Sequence, residues 1–170
     1  RTGALFESLT RDYLESALCL LQHLRPGEWV FSVHGDVTVF DQYEHLTDLA
    51  RVLRQHPLLL ATLGDYLVKP DIVIGRSPVP DPLINQDGDV LQGDIASLTP
   101  LRANNSPRPI LHASISCKWT IRSDRSQNAR TEGLNLIRNR KGNTPHIAIV
   151  TAEPLPNRIA SVALGTGDVD

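Results

Sequence analysis

The sharpest pattern in the chain runs from Ile110 to Ile121. Leu111, Ala113, Ile115, Cys117, Trp119 and Ile121 are apolar, and His112, Ser114, Ser116, Lys118 and Thr120 between them are polar. Successive side chains of a strand point to opposite faces, so this alternation predicts one long strand with a buried face and an open polar face. Ser116 and Lys118 then stand side by side on the open face. Cys117 points inward, as a small core residue and not a reactive thiol.

Beyond Ile121 the period changes. Ala129, Gly133, Leu136 and Ile137 recur at helical spacing and predict a helix from about Asp124 to Arg140, with Glu132 at the margin of its buried stripe. Ser123 suits its N-cap and Gly142 its stop. Upstream, Leu5, Leu9, Leu14, Ala17, Leu18, Leu21 and Leu24 predict a helix over Thr2 to Leu24, with Cys19 packed within it and Pro26-Gly27 closing it. A short strand follows over Trp29 to Val33, then a turn at Gly35-Asp36. Tyr43, Leu46, Leu49, Val52 and Leu53 predict a helix over Asp41 to Gln55, which Pro57 closes. A short apolar helix before Pro70 leads into a strand over 71–75. Residues 77–109 hold six prolines and no clear period; Asn85 to Asp89 reads as a turn, since the closing glutamate of a calcium loop is missing. His146 to Ala152 reads as a buried strand and Arg158 to Leu164 as another. The order is that of an α/β fold, a mixed central sheet flanked by helices.

Composition narrows the field. The 170 residues suit one domain, and 41% hydrophobic residues can fill one core. No apolar run reaches the roughly 18 residues of a membrane span, and two cysteines exclude a disulfide framework. The chain contains no Met, opens inside a predicted helix and stops just after an apolar run. It reads as a fragment cut at both ends. The net charge of −2 conceals a gradient, because Lys118 to Lys141 holds seven basic residues and two acids. A solvated helix face accounts for many such runs, but clustered arginines also suit a phosphate- or base-reading surface. The six histidines show no metal-ligand spacing, and neither a Gly-rich phosphate loop nor a Ser-His-Asp order is present.

Asp71, Lys118 and Glu132 form a candidate trio. Mg²⁺ binds one or two carboxylates and leaves positions for water and phosphate oxygens. A lysine beside them can position or deprotonate an attacking water. On chemistry alone the bland reading stays ahead, with Asp71 capping a turn and Glu132 paired on the surface.

The surrounding residues alter that balance. Lys69-Pro70-Asp71, Ser116-Cys117-Lys118 and Arg130-Thr131-Glu132 resemble the PD-(D/E)XK nuclease pattern, in the variant whose second acid moves to the following helix. The stretch from Ser114 to Arg125, and residues 132–141 and 146–165, are similar to the NgoMIV group of type II restriction endonucleases, which cut sites with a CCGG core. The resemblance implies a restriction-endonuclease-like core forming a single nuclease domain over 1–170, with Mg²⁺ as cofactor. It implies catalytic roles for Asp71, Lys118, Glu132 and Ser116, the serine standing where the usual acid would be. Glu7 on the first helix is the counterpart of a further family glutamate. Metal oxygens would come from Asp71, Glu132 and the Cys117 backbone carbonyl.

The resemblance also assigns base reading to Arg122, Asp124 and Arg125, and an outer contact to Arg158. The chemistry agrees, since arginine donates two bonds to guanine and aspartate accepts from cytosine N4. The implied protein cuts double-stranded DNA at a CCGG-centred palindrome, GCCGGC, as a dimer or tetramer in the bacterial cytoplasm, within a restriction-modification system. Two other readings remain: a structure-specific repair or recombination nuclease of the same fold, and an inactive DNA-binding relic.

Overall fold

A computed structural model describes residues 2–25, 27–63, 68–121 and 123–164, with backbone only for 63, 123–126, 161 and 164. Its centre is a four-stranded sheet: β1 (Trp29–Val33), β2 (Ile72–Arg76), β3 (Ile110–Thr120) and β4 (His146–Glu153), in that order. β1, β2 and β3 are antiparallel, and β4 joins β3 in parallel. A parallel neighbour needs a crossover, and α5 (Ser123–Asn139) provides it. The other α-helices among the described residues are α1 (Thr2–Cys19), α2 (Leu46–Gln55), α3 (Pro57–Leu63), α4 (Asp81–Ile84) and α6 (Pro156–Leu164), and short 3-10 turns cover Gln22–Leu24, Val37–Val39 and Asp41–Tyr43, so the helix expected from Asp41 begins only at Leu46. Among the described residues no helix is long and apolar enough to cross a membrane. The mixed sheet flanked by helices matches the α/β architecture expected from the sequence.

The two faces of β3 differ from their expected form. Ile74 pairs with Ala113 but Gly75 pairs with Leu111, so the register skips one residue at His112. An extra residue in one strand reverses the facing of what precedes it. Leu111 therefore packs with Val37, Phe40, Tyr43 and Val73 on one side of the sheet. Ala113, Ile115 and Cys117 pack with Ile72 and Ile74 on the other. His112 is only half-buried, edge-on to Trp29 at 4.8 Å, and burial with nearby cations lowers its pKa to about 4.

Nor is the polar face open. Ser114 and Ser116 are 4% and 7% exposed, because α5 lies over this part of the sheet. Trp119, expected inside, is 45% exposed, with the ring of Phe6 edge-on at 5.6 Å. On α1 the inward residues are Phe6, Thr10, Leu14 and Leu18, spaced four apart, while Leu5 and Leu9 face out; the helix stops at Cys19, short of the expected Leu24, and Leu21 and Leu24 beyond it are exposed. Cys19 is exposed, not packed.

Three further expectations fail. β4 is a strand but largely exposed: it is an edge of the sheet, and its Ile147 and Ile149 border a cleft of about 460 Å³ shared with α5 and α6. Ile137, counted in the buried stripe of α5, also lines that cleft and is 37% exposed. Arg158 to Leu164 is not a strand but part of α6, which begins at Pro156, where a fixed φ and a missing N–H suit the first helical turn.

One buried side chain completes the sheet. β4 begins opposite Ala113, so Leu111 has no β4 partner. Gln42 replaces it: its amide donates to the Leu111 carbonyl at 2.9 Å and accepts from the Leu111 N–H at 2.8 Å. Leaving a buried backbone group unsatisfied costs about 1–3 kcal/mol. Gln42→Ala strands both groups and is expected to lower stability in urea unfolding by about 2–5 kcal/mol. A loss below about 1 kcal/mol would show that water or a neighbour replaces the amide.

Candidate active site

Lys69-Pro70 delivers the chain to β2, and Asp71 sits just before the first strand pair, Ile72 with Ile115. That register sets Asp71 beside the middle of β3. Asp71 Oδ2 accepts the Cys117 backbone N–H at 2.7 Å and the Lys118 Nζ at 2.8 Å. One residue earlier on β3, Ser116 Oγ donates to Glu132 Oε2 at 3.1 Å across to α5. The buried serine hydroxyl is thus satisfied, which explains a polar residue 7% exposed under a helix. Asp71, Lys118, Ser116 and Glu132, taken from β2, β3 and α5, meet around three consecutive residues of one strand.

Glu7 comes from the opposite layer. Its side chain is 15% exposed, and its Oε2 lies 3.2 Å from His34 Nε2. Glu7 and Asp71 both act on the charge state of the Cys117 thiol, whose pKa burial and Asp71 raise to about 11. The thiol is therefore held protonated and unreactive, as its inward position suggested.

The arrangement fits a hard cation. Both described side-chain hydrogen bonds of Asp71 fall on Oδ2, so Oδ1 keeps its coordination capacity. Among the described residues, Glu132 is engaged on Oε2 alone. No group of three His, Cys, Asp or Glu side chains is assembled for a metal among the described residues. Two carboxylates with water and phosphate oxygens are what Mg²⁺ accepts, whereas a dehydrated all-protein cage is what it avoids.

The base-reading candidates are placed less fully. Arg122 lies outside the described residues, and Asp124 and Arg125 are described by backbone alone, in the first turn of α5. Arg158 lies in the first turn of α6 and is partly buried.

Compared with known protein families, residues 1–170 match the NgoMIV restriction enzyme family. The chain belongs to that family. It is 50% identical, over 175 aligned positions, to the type II restriction enzyme NgoMIV of Neisseria gonorrhoeae. The match covers 99% of this chain and 61% of that relative, so the chain spans about three fifths of the relative's length. As a member of the NgoMIV restriction enzyme family it carries the family's mixed sheet with flanking helices.

Sequence reasoning found Asp71, Lys118, Ser116 and Glu132, and the structure brings them together. It did not foresee that His34 would stand 3.2 Å from Glu7, having grouped it with histidines lacking metal spacing. The one local signal was its place before Gly35, where the strand must turn.

Proposed function

We propose that the protein is a type II restriction endonuclease that hydrolyses phosphodiester bonds in double-stranded DNA at a CCGG-centred palindrome, GCCGGC, with Mg²⁺. The observation that carries this reading is the cluster itself: Asp71 bonded to Lys118 and to the Cys117 N–H, with Glu132 one β3 residue away through Ser116. Mg²⁺ at Asp71, Glu132 and the Cys117 carbonyl would stabilise charge on the phosphate and lower the pKa of an attacking water. Lys118 holds its ammonium beside that carboxylate, where it offsets phosphate charge and orients the water. Ser116 fixes the Glu132 carboxylate in the place where an acid usually stands on this strand. The basic segment from Lys118 to Lys141 supports DNA as the partner, with Arg122, Asp124, Arg125 and Arg158 as its readers. A palindrome is read by a symmetric pair, so the reading includes a dimer or tetramer, acting in the bacterial cytoplasm.

The test is digestion of plasmids carrying or lacking CCGG-centred sites, in Mg²⁺, followed by mapping of the cut ends on a random-sequence library. Cleavage confined to GCCGGC supports the proposal. Equal cleavage of both plasmids would mean a nuclease that reads structure, and no cleavage in Mg²⁺ would mean a binding protein.

A further inference from the structure

We infer that the cleft between the turn after β1 and helix α2 grips the DNA backbone beside the phosphate that is cut, with Lys69 and Arg54 as its phosphate contacts. The inference rests on the nuclease reading above and deepens it, because both cations lie outside the basic segment from Lys118 to Lys141.

The cleft has a volume of about 660 Å³ and is bordered by the turn at 34–38, by Thr47 and Arg54 of α2 and by Lys69. Its place follows from the chain. Lys69 stands two residues before Asp71. The His34 N–H donates to the Asp71 carbonyl at 2.9 Å, so the turn starts against that same residue from the β1 side. Gly35 then runs so close to β2 that a Cβ there would lie 2.2 Å from Val73 Cγ2. Val73 packs in one core with Leu136 of α5, the helix that carries Glu132. The cleft therefore lies on the Glu132 side of the sheet and at the end where Asp71 and Lys118 meet. β1 stands two strand spacings from β3, about 10 Å, or about three nucleotides of duplex at about 3.4 Å each. DNA with its scissile phosphate at Asp71 and Lys118 would carry neighbouring phosphates across that distance.

The charge suits such a strand. Lys69 and Arg54 are exposed, and among the described residues neither has a carboxylate partner. Arg54 Nε donates to the Ala50 carbonyl at 3.1 Å, which lays the guanidinium along α2 and leaves its terminal N–H groups for another acceptor. Asp36 is the acid among the lining residues. Its Oδ1 already accepts the Thr38 N–H and hydroxyl, both at 2.8 Å. Two cations against one engaged carboxylate leave the cleft positive. Contacts of this kind hold the duplex in register without reading its sequence.

The experiment titrates GCCGGC DNA and unrelated DNA in Ca²⁺ across a salt series, for the wild type, Lys69→Ala, Lys69→Arg, Arg54→Ala and the double alanine variant. Each single alanine is expected to lower the salt slope by about one and the double by about two, with both DNAs weakened by the same factor. Lys69→Arg should restore the slope, and thermal melting should match the wild type because both side chains are exposed. A second readout replaces single phosphates near the cut by uncharged methylphosphonate. At one position within about three nucleotides of the cut, this should weaken wild-type binding and cost Lys69→Ala nothing further. Unchanged slopes in both single alanine variants would overturn the inference. So would equal losses for wild type and Lys69→Ala at every methylphosphonate position, or a loss confined to GCCGGC DNA. If the wild type does not cut GCCGGC DNA in Mg²⁺, the nuclease reading falls, and the phosphate contacts stand or fall by the slopes alone.

Discussion

Replacing Lys118 with alanine is expected to lower cleavage by about 10²–10⁴-fold, the range that a positioned proton-transfer group contributes, while CCGG-specific binding in Ca²⁺ persists. The separation follows from the geometry. Asp71 keeps the Cys117 N–H at 2.7 Å when the lysine is gone, so its carboxylate stays oriented. The β2–β3 pairing does not involve the lysine side chain. What disappears is the ammonium at 2.8 Å from Asp71 Oδ2, the group that the proposed reaction sets beside the water and the phosphate. Asp71→Asn should abolish cutting as well, by weakening the metal site itself, and should raise the Mg²⁺ requirement where Lys118→Ala does not. Ca²⁺ should support binding without cutting, because it coordinates loosely and activates water poorly. Normal turnover by the Lys118→Ala protein, or loss of cleavage and binding in equal measure, would remove Lys118 from the catalytic role.

The residues that form this site were legible for a definite reason. β3 has the period of a strand and α5 that of a helix, so Ser116, Lys118 and Glu132 could be assigned to elements, and a strand-to-helix step leaves few ways for them to meet. The faces of β3 were less legible. Strict alternation assumes an unbroken register, and the skip at His112 puts Leu111 and Ala113 on opposite sides although both are odd-numbered. Polarity also misled at Ser116, which is buried because Glu132 accepts its hydroxyl. The apolar run of β4 suggested an interior strand, yet hydrophobic sequence does not itself establish cover. In α6 the apolar residues Ile159, Val162 and Ala163 suit either a strand or a helix, and Pro156 was the discriminating signal. The nearness of His34 to Glu7 could not have been found from periodicity at all, because it depends on a positive φ and on a helix far away in sequence.

The second large effect expected is on sequence reading. Arg125→Ala should weaken binding to CCGG-centred DNA far more than binding to unrelated DNA. β3 ends at Thr120 and α5 begins at Ser123, so the first turn of α5 is tethered within a few residues of Lys118. With so short a link, groups on that turn cannot move far relative to the cutting site. The side chains in this turn, Asp124 and Arg125, complement cytosine N4 and the O6/N7 edge of guanine. Loss of one bidentate arginine–guanine contact removes about 1–3 kcal/mol of discrimination, roughly 5- to 150-fold in the ratio of specific to unrelated affinity. A phosphate contact behaves differently: its loss lowers both affinities together and reduces the salt slope by about one. Titrating wild type, Arg125→Ala and Arg122→Ala on both DNAs across a salt series separates these cases. A reduced ratio with an unchanged salt slope assigns the turn to base reading. An equal loss on both DNAs for each variant would mean that the turn only grips the backbone, and the CCGG specificity would then have to be carried by other residues.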